Sequence, residues 1–440
     1  MKFSNLGRKA AALVSTLALG ACLSSCGSGT IGYLYVLGQL TSSGSFGQIN
    51  GFKIDDRTGN LTNMVNSPYS SGGSNPGNAV VFPGGQYLFV LNKGIATTAP
   101  SGQCPANTGG GVVSEFLIGG DGVLTFLQNW VSSGINPVWI SADPTGSYLY
   151  VLDQAASTPG PLGNTCNLDT TSANSNVKNK VPDGDITVFA LNSTTGRLTL
   201  VQNQQANDGF GHPLTFFPVG PHPTMLHTAG GYVYTMNTAD QSVFVDSTIS
   251  AGQLTATQTL TQPTGGINIT SIGTSSNGNY IYITDEGLGG SNPSYIRIFT
   301  IGSNGALSTL VTGAQTNLPL TSNPVWTLAS ANGKYLYVVN QGNNANPNTI
   351  TSNISAFTVE STGQLQQVVD PSNPYPAGSG PVCMVEDPTN QYVYVSNYTD
   401  STVTGYILDA NTGQLSPLSR TTVFPISGQA SCLTVSGFTS

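Results

Sequence analysis

Three series of recurring residues predict an all-β chain closed into a single seven-bladed propeller of four-stranded blades. The first is an aromatic/β-branched tetrapeptide, Tyr-Leu-Tyr-Val at Tyr33, which returns with small changes at Tyr87, Tyr148, Tyr232, Tyr280, Tyr335 and Tyr392. The second is Gly-x-Leu, at Gly59, Gly122, Gly196, Gly252, Gly305, Gly363 and Gly413. The third is a proline eleven residues before the Tyr, at Pro76, Pro137, Pro221, Pro324 and Pro381, with Ile269 in its place before Tyr280. Radially repeated four-stranded units are the sequence mark of a propeller.

Each element has a physical reason. The proline leads a short apolar strand, the innermost of its blade, and a turn such as Asp143-Pro144-Thr145-Gly146 follows it. The Tyr tetrapeptide is strand-forming because aromatic and β-branched side chains pack well on a pleated surface. An alternating strand comes next. The Gly of Gly-x-Leu then supplies the positive φ of a hairpin, and the Leu starts the outermost strand. Successive Tyr repeats lie 48 to 84 residues apart, so the excess length falls in loops. The chain opens on a Tyr-led strand and ends on Ala430-Ser431-Cys432-Leu433-Thr434-Val435, a strand of the innermost type. That last strand is expected to complete the first blade, closing the ring and removing an edge.

Composition narrows the function. Lys and Arg total 12 against 20 Asp and Glu, for a net charge of −8. So few cations cannot form the basic stripe that phosphate backbones require, and nucleic acid is excluded as a partner. The first 26 residues have a basic start, a short apolar run and small residues before a cysteine, the pattern of a lipoprotein signal peptide and lipobox. Two cysteines fit the lipidation position, Cys22 and Cys26. Anchoring at Cys26 leaves Cys104, Cys166, Cys383 and Cys432, an even number suited to an oxidising envelope, so Cys26 is preferred. Residues 27–32 then form a Gly/Ser tether, and 33–440 the propeller. Neither residue after the candidate anchors is Asp, which points to the bacterial outer membrane. The lipid is expected to be the sole membrane contact of a monomer.

Two insertions, roughly 94–111 and 154–183, follow Tyr-led strands of adjacent blades and so should leave the same face. Cys104 and Cys166 sit at matching points within them and are expected to form a disulfide. Cys383 and Cys432 fall in innermost strands of neighbouring blades, where a bridge and two buried thiols remain open.

Together these residues resemble the bacterial seven-bladed lactonase propellers, the family of 6-phosphogluconolactonase-type enzymes and their muconate-lactonising relatives. The resemblance runs from Ile31 to the end. It implies a channel that receives a lactone and a Pro-His at the start of an innermost strand. Pro221-His222 matches, although the second His of that family stretch is Thr224 here. Where the family has Pro-Arg-His, this chain reads Pro324-Val325-Trp326, and other blades read Pro137-Val138-Trp139 and Pro381-Val382-Cys383. The changes remove a cation and a proton-transfer group, which argues against a phosphorylated substrate.

Opening a lactone needs a base for water and a donor for the oxyanion. His222 is the candidate base by register, against the plainer reading of a histidine hydrogen-bonded at a loop mouth. Its neighbours His212 and His227 have no metal-ligand spacing, so no metal is expected. Asp285 shares its register with Asn92, Asp153, Asn237, Asn340 and Asn397, which reads as a turn or cap device. Glu286 is kept as the acidic outlier. Asp183-Gly184-Asp185 reads as a solvated turn. Trp139 and Trp326 share a register on opposite sides of the ring and are candidates to flank a ligand, against ordinary blade-to-blade packing. No cofactor-docking set is visible, so none is expected. The sequence supports an envelope-anchored propeller that binds a carbohydrate or protein partner through its channel face and two long loops without efficient catalysis. The alternative is a lactone hydrolase acting on an uncharged sugar or small lactone, with His222 as general base.

Overall fold

The structure is a computed structural model. It describes residues 29–41, 45–94, 111–156, 183–207, 211–248, 250–261, 268–287, 294–309, 315–317, 323–342 and 352–437. Seven antiparallel blades form the ring. Blade 1 joins the two ends of the chain: Gln429–Ser436 pairs with Thr30–Gln39, which continues into Gln48–Asp55 and Leu61–Asn63. Blades 2 to 7 follow in order, with Tyr-led second strands Tyr87–Asn92, Tyr148–Ala155, Tyr232–Asn237, Tyr280–Asp285, Tyr335–Asn340 and Tyr392–Asn397. Blades 1, 3, 5, 6 and 7 also carry a short extra strand against their third strand. Cys383 and Cys432 are bonded across the closure, with Cα atoms 5.2 Å apart, so a covalent link joins blade 7 to blade 1. Cys22, Cys26, Cys104, Cys166 and the signal segment lie outside the described residues. Among the described residues no helix is long and apolar enough to cross a membrane.

The Tyr and Gly series lock together. A Cβ added to Gly122 would stand 2.4 Å from the ring of Tyr33, the first Tyr of the preceding blade. The same holds for Gly196 on Tyr87, Gly252 on Tyr148, Gly305 on Tyr232, Gly363 on Tyr280, Gly413 on Tyr335 and Gly59 on Tyr392, at 2.2 to 2.6 Å. All seven glycines have positive φ, so conformation and close approach both require them. In four blades the second Tyr of the repeat then donates to the glycine carbonyl of the next blade. Tyr35 reaches Gly122 at 2.8 Å, Tyr234 Gly305 at 3.0 Å, Tyr337 Gly413 at 2.9 Å and Tyr394 Gly59 at 2.6 Å. The repeat is thus an inter-blade clasp, buried at one end of the ring.

One register differs from the sequence reading. In blade 4 the innermost strand is Pro223–Ala229, and Pro223, not Pro221, pairs with the end of the Tyr strand at Asn237. Pro76, Pro137, Ile269, Pro324 and Pro381 make the equivalent pairing in their blades. The turn at Gly230-Gly231 is two residues shorter than the others, which moves the proline to nine residues before the Tyr. Pro221 belongs to the extra strand Phe217–Pro221 against Asp183–Leu191. His222 therefore stands before the strand-leading proline rather than after it.

Candidate functional site

At the end opposite the hairpins, the residue before the strand-leading proline is left-handed in five blades. Asn75, Asn136, His222 and Asn323 have φ between 47° and 59°, and Gly380 has 65°. Asn, Asp and His are the residues with side chains most often found in this region, so His222 fills a place the fold reserves for such residues. Each of these residues offers its carbonyl to the backbone N–H just beyond the Tyr strand of its own blade. Lys93 donates to Asn75 at 3.0 Å, Thr238 to His222 at 3.2 Å, Gln341 to Asn323 at 3.0 Å and Tyr398 to Gly380 at 2.8 Å. Glu286 does the same to Asn268 at 3.0 Å.

Two concentric rings of half-buried polar side chains result. The inner ring holds Asn75, Asn136, His222, Asn268 and Asn323. The outer ring holds Gln39, Lys93, Gln154, Thr238, Glu286, Gln341 and Tyr398. Amide groups bridge them: Asn136 Nδ2 donates to Gln154 Oε1 at 2.5 Å, and Asn268 Nδ2 donates to Glu286 Oε1. Gln39 links three blades, donating to the Pro76 carbonyl of blade 2 at 3.0 Å and accepting from the Tyr398 hydroxyl of blade 7 at 3.1 Å.

The floor is aromatic. The rings of Trp139 and Trp326 meet across the channel with centroids 5.6 Å apart, so nothing is sandwiched between them. Trp326 is fixed by donating Nε1–H to the Met384 carbonyl at 3.0 Å, and Trp139 lies against His227 at 6.3 Å. Burial pushes His227 down to about 4, so it is neutral at physiological pH and adds no charge. Both tryptophans also pack against the apolar cluster of Met225, Ile269 and Ile272.

His222 is held by Thr238. The threonine hydroxyl donates to the His222 carbonyl at 3.2 Å and lies 3.0 Å from Nδ1. With its proton committed there, Thr238 Oγ1 accepts from Nδ1–H, which leaves Nε2 as the basic nitrogen. Among the described residues no carboxylate pairs with His222. No group of three or more His, Cys, Asp or Glu is placed to hold a metal among them either.

The Asn/Asp column that ends the Tyr strands is fully buried and braces the third strand. Asn92 donates to Ser114 at 2.9 Å, Asn340 to Ser355 at 2.9 Å and Asn397 to Thr404 at 2.9 Å. Two blades depart from the pattern. In blade 5 the acid Asp285 is paired with Arg297, whose Nε and Nη2 donate to Oδ2 at 2.9 and 2.5 Å. In blade 3 Asp153 faces a second acid, Asp185, directly across the strands. Both are fully buried, and among the described residues no group other than the Asp153 carboxyl is placed to hydrogen-bond an Asp185 oxygen. Asp183-Gly184-Asp185 is thus the start of a buried strand, not a solvated turn. Burial raises both carboxyls, Asp153 to about 7, and the proximity of Asp153 raises Asp185 further.

Lys93 escaped the sequence reading. Its side chain lies over Gly77, where an added Cβ would sit 2.2 Å from Cε. The other blades carry Val138, Thr224, Thr270, Val325, Val382 and Ser431 at that register, so a glycine in blade 2 makes the room.

Comparison with known proteins agrees with this architecture. Residues 308–431 match the family described as lactonase, 7-bladed beta-propeller. No curated protein matches the sequence significantly. Among solved structures, the periplasmic gluconolactonase of Pseudomonas aeruginosa is 18% identical with a TM-score of 0.62, covering 93% of this chain and all of that one. A candidate 6-phosphogluconolactonase of Bacteroides uniformis is 16% identical with a TM-score of 0.64, covering 92% and 100%. The resemblance to the seven-bladed lactonase propellers therefore holds in that matched segment and in the fold of the whole chain.

Proposed function

We propose that the channel mouth is a carbohydrate-binding site, and that the chain presents it from the bacterial envelope without efficient catalysis. The observation that carries this reading is a double ring of polar side chains, most of them amides, above an aromatic floor. Amides both donate and accept, which suits the paired donor and acceptor character of sugar hydroxyls. Aromatic faces suit the apolar faces of a sugar ring. The Trp139–Trp326 contact gives a floor to rest on, not a slot to enter. The lipobox pattern supports anchoring through Cys26, or Cys22, in the outer membrane.

A second reading is favoured by a specific observation. His222 carries its free lone pair on Nε2, and the family match is to lactonases. Ring opening of a sugar lactone with His222 activating water is the reaction this supports. Its weakness is chemical: among the described residues His222 is oriented by the Thr238 hydroxyl and not by a carboxylate that would stabilise the imidazolium formed.

The test uses the chain from Gly27 onward with uncharged and phosphorylated lactones, following proton release beside a His222→Ala variant. The binding reading expects lactone consumption at the spontaneous rate and saturable, sugar-dependent quenching of tryptophan fluorescence. Turnover that disappears in His222→Ala would replace it with the hydrolase reading.

A further inference from the structure

Resting on the carbohydrate reading of the mouth, we propose that Lys93 receives the carboxylate of a polyhydroxy monocarboxylate, an open-chain sugar acid, whose hydroxyl tail reaches towards Glu286. Lys93 belongs to blade 2 and Glu286 to blade 5, three blades away around the ring. They occupy the same register, one residue past the Tyr strand. The mouth is thus polar in both senses of the word, with a cation on one side, an anion on the other and amides between.

Four observations carry this. Lys93 has no acidic partner among the described residues, although the chain carries 20 acids. It is half-buried, and burial alone lowers its pKa, so the ammonium is short of water as well as of an anion. A cation held in that way is costly unless something supplies acceptors. Its place is also prepared, because Gly77 removes the side chain that would block it. Finally, Glu286 engages Asn268 through Oε1, which leaves its other carboxylate oxygen to accept from ligand hydroxyls.

The charge count selects the end group. One lysine matches one carboxylate. A phosphate dianion needs a cluster of cations or a bidentate arginine, and Glu286 in the same ring would repel it. Arg297, which lies in the third strand of blade 5, is already spent on Asp285.

The test compares D-gluconate with D-glucitol, which differ only in the carboxylate, by calorimetric titration of the chain from Gly27 onward. The expected result is gluconate binding about tenfold or more tighter than glucitol, from one charge-assisted hydrogen bond. Lys93→Met keeps the aliphatic chain over Gly77 and is expected to reduce gluconate to the affinity of glucitol. Lys93→Arg is expected to retain much of the preference, and thermal melting checks that both variants fold. Equal affinities in the unmodified chain, or a gluconate preference that survives Lys93→Met, would overturn the role of Lys93 while leaving a sugar site. Binding of neither ligand would overturn the carbohydrate reading itself.

Discussion

The two ends of the ring are built on opposite principles. At the hairpin end, one arrangement is written seven times: a left-handed glycine under a tyrosine ring, with the next tyrosine clasping the glycine carbonyl in most blades. At the mouth, the backbone bonds recur but the side chains vary: blades 3 and 6 share an Asn and Gln pair, while blades 2, 4 and 5 bring Lys93, His222 and Glu286. Repetition holds the ring together and leaves little room for change. Variation above a repeated backbone is what lets a site be built, because a loop or strand end can change its side chain without disturbing the core.

The comparison is broken most sharply at a hairpin glycine. Gly413→Ala puts a methyl group 2.3 Å from the Tyr335 ring at a φ of 71°, and overpacking and backbone strain add. A loss of roughly 3–5 kcal/mol is expected in denaturant unfolding. At the mouth, Asn323→Gly keeps the left-handed residue and should cost less than about 1 kcal/mol in the same assay.

Closure comes next. Replacing Cys383 and Cys432 together by Ser should lower stability by about 3 kcal/mol, because the bridge ties blade 7 to the strand that completes blade 1. An unchanged unfolding midpoint would show that strand pairing alone closes the ring.

The acid pair of blade 3 gives a pH test. Asp153 and Asp185 have folded pKa values above their unfolded ones, so the folded state holds protons that the unfolded state releases. Stability is therefore greatest below pH ~4 for this pair and falls as the pH rises to about 7 and beyond, since Asp153 is raised to about 7 and Asp185 is raised as well by burial and by Asp153. Asp185→Asn should remove most of that fall and stabilise the chain at pH 8 by on the order of 2 kcal/mol. Parallel pH profiles for the two proteins would rule out the buried pair as the cause. Blade 5 is the control, since Asp285 has Arg297 and should lose stability when that arginine is removed.

The smallest expected effect is Tyr394→Phe, which deletes one clasp hydrogen bond to Gly59 and should cost about 1 kcal/mol by chemical unfolding.

The fold was legible because its physics repeats. Seven Tyr strands and seven Gly-x-Leu turns can be aligned by eye, and the closing strand shows itself by having no successor. Blade 4 misled because Pro221 and Pro223 both fit a proline-led strand, and only the short Gly230-Gly231 turn decides between them. The mouth was largely illegible for a different reason. Its inner ring comes from residues before the innermost strands and its outer ring from residues after the Tyr strands, some 18 positions later in blades 2, 3, 5, 6 and 7. The column Gln39, Lys93, Gln154, Thr238, Glu286, Gln341, Tyr398 was available one step beyond the Asn/Asp column, and would have singled out Lys93 as its one cation. That Asp185 is buried opposite Asp153 depends on strand register, which neither residue announces.

The central claim is that function sits at the varied end. The most direct measurement is a crystal structure of the chain grown with D-gluconate. The account predicts density for the sugar acid in the mouth, within hydrogen-bond reach of Lys93 and Glu286 and above Trp139 and Trp326. Density confined to the hairpin end or the outer strands, with the mouth holding only water, would contradict it.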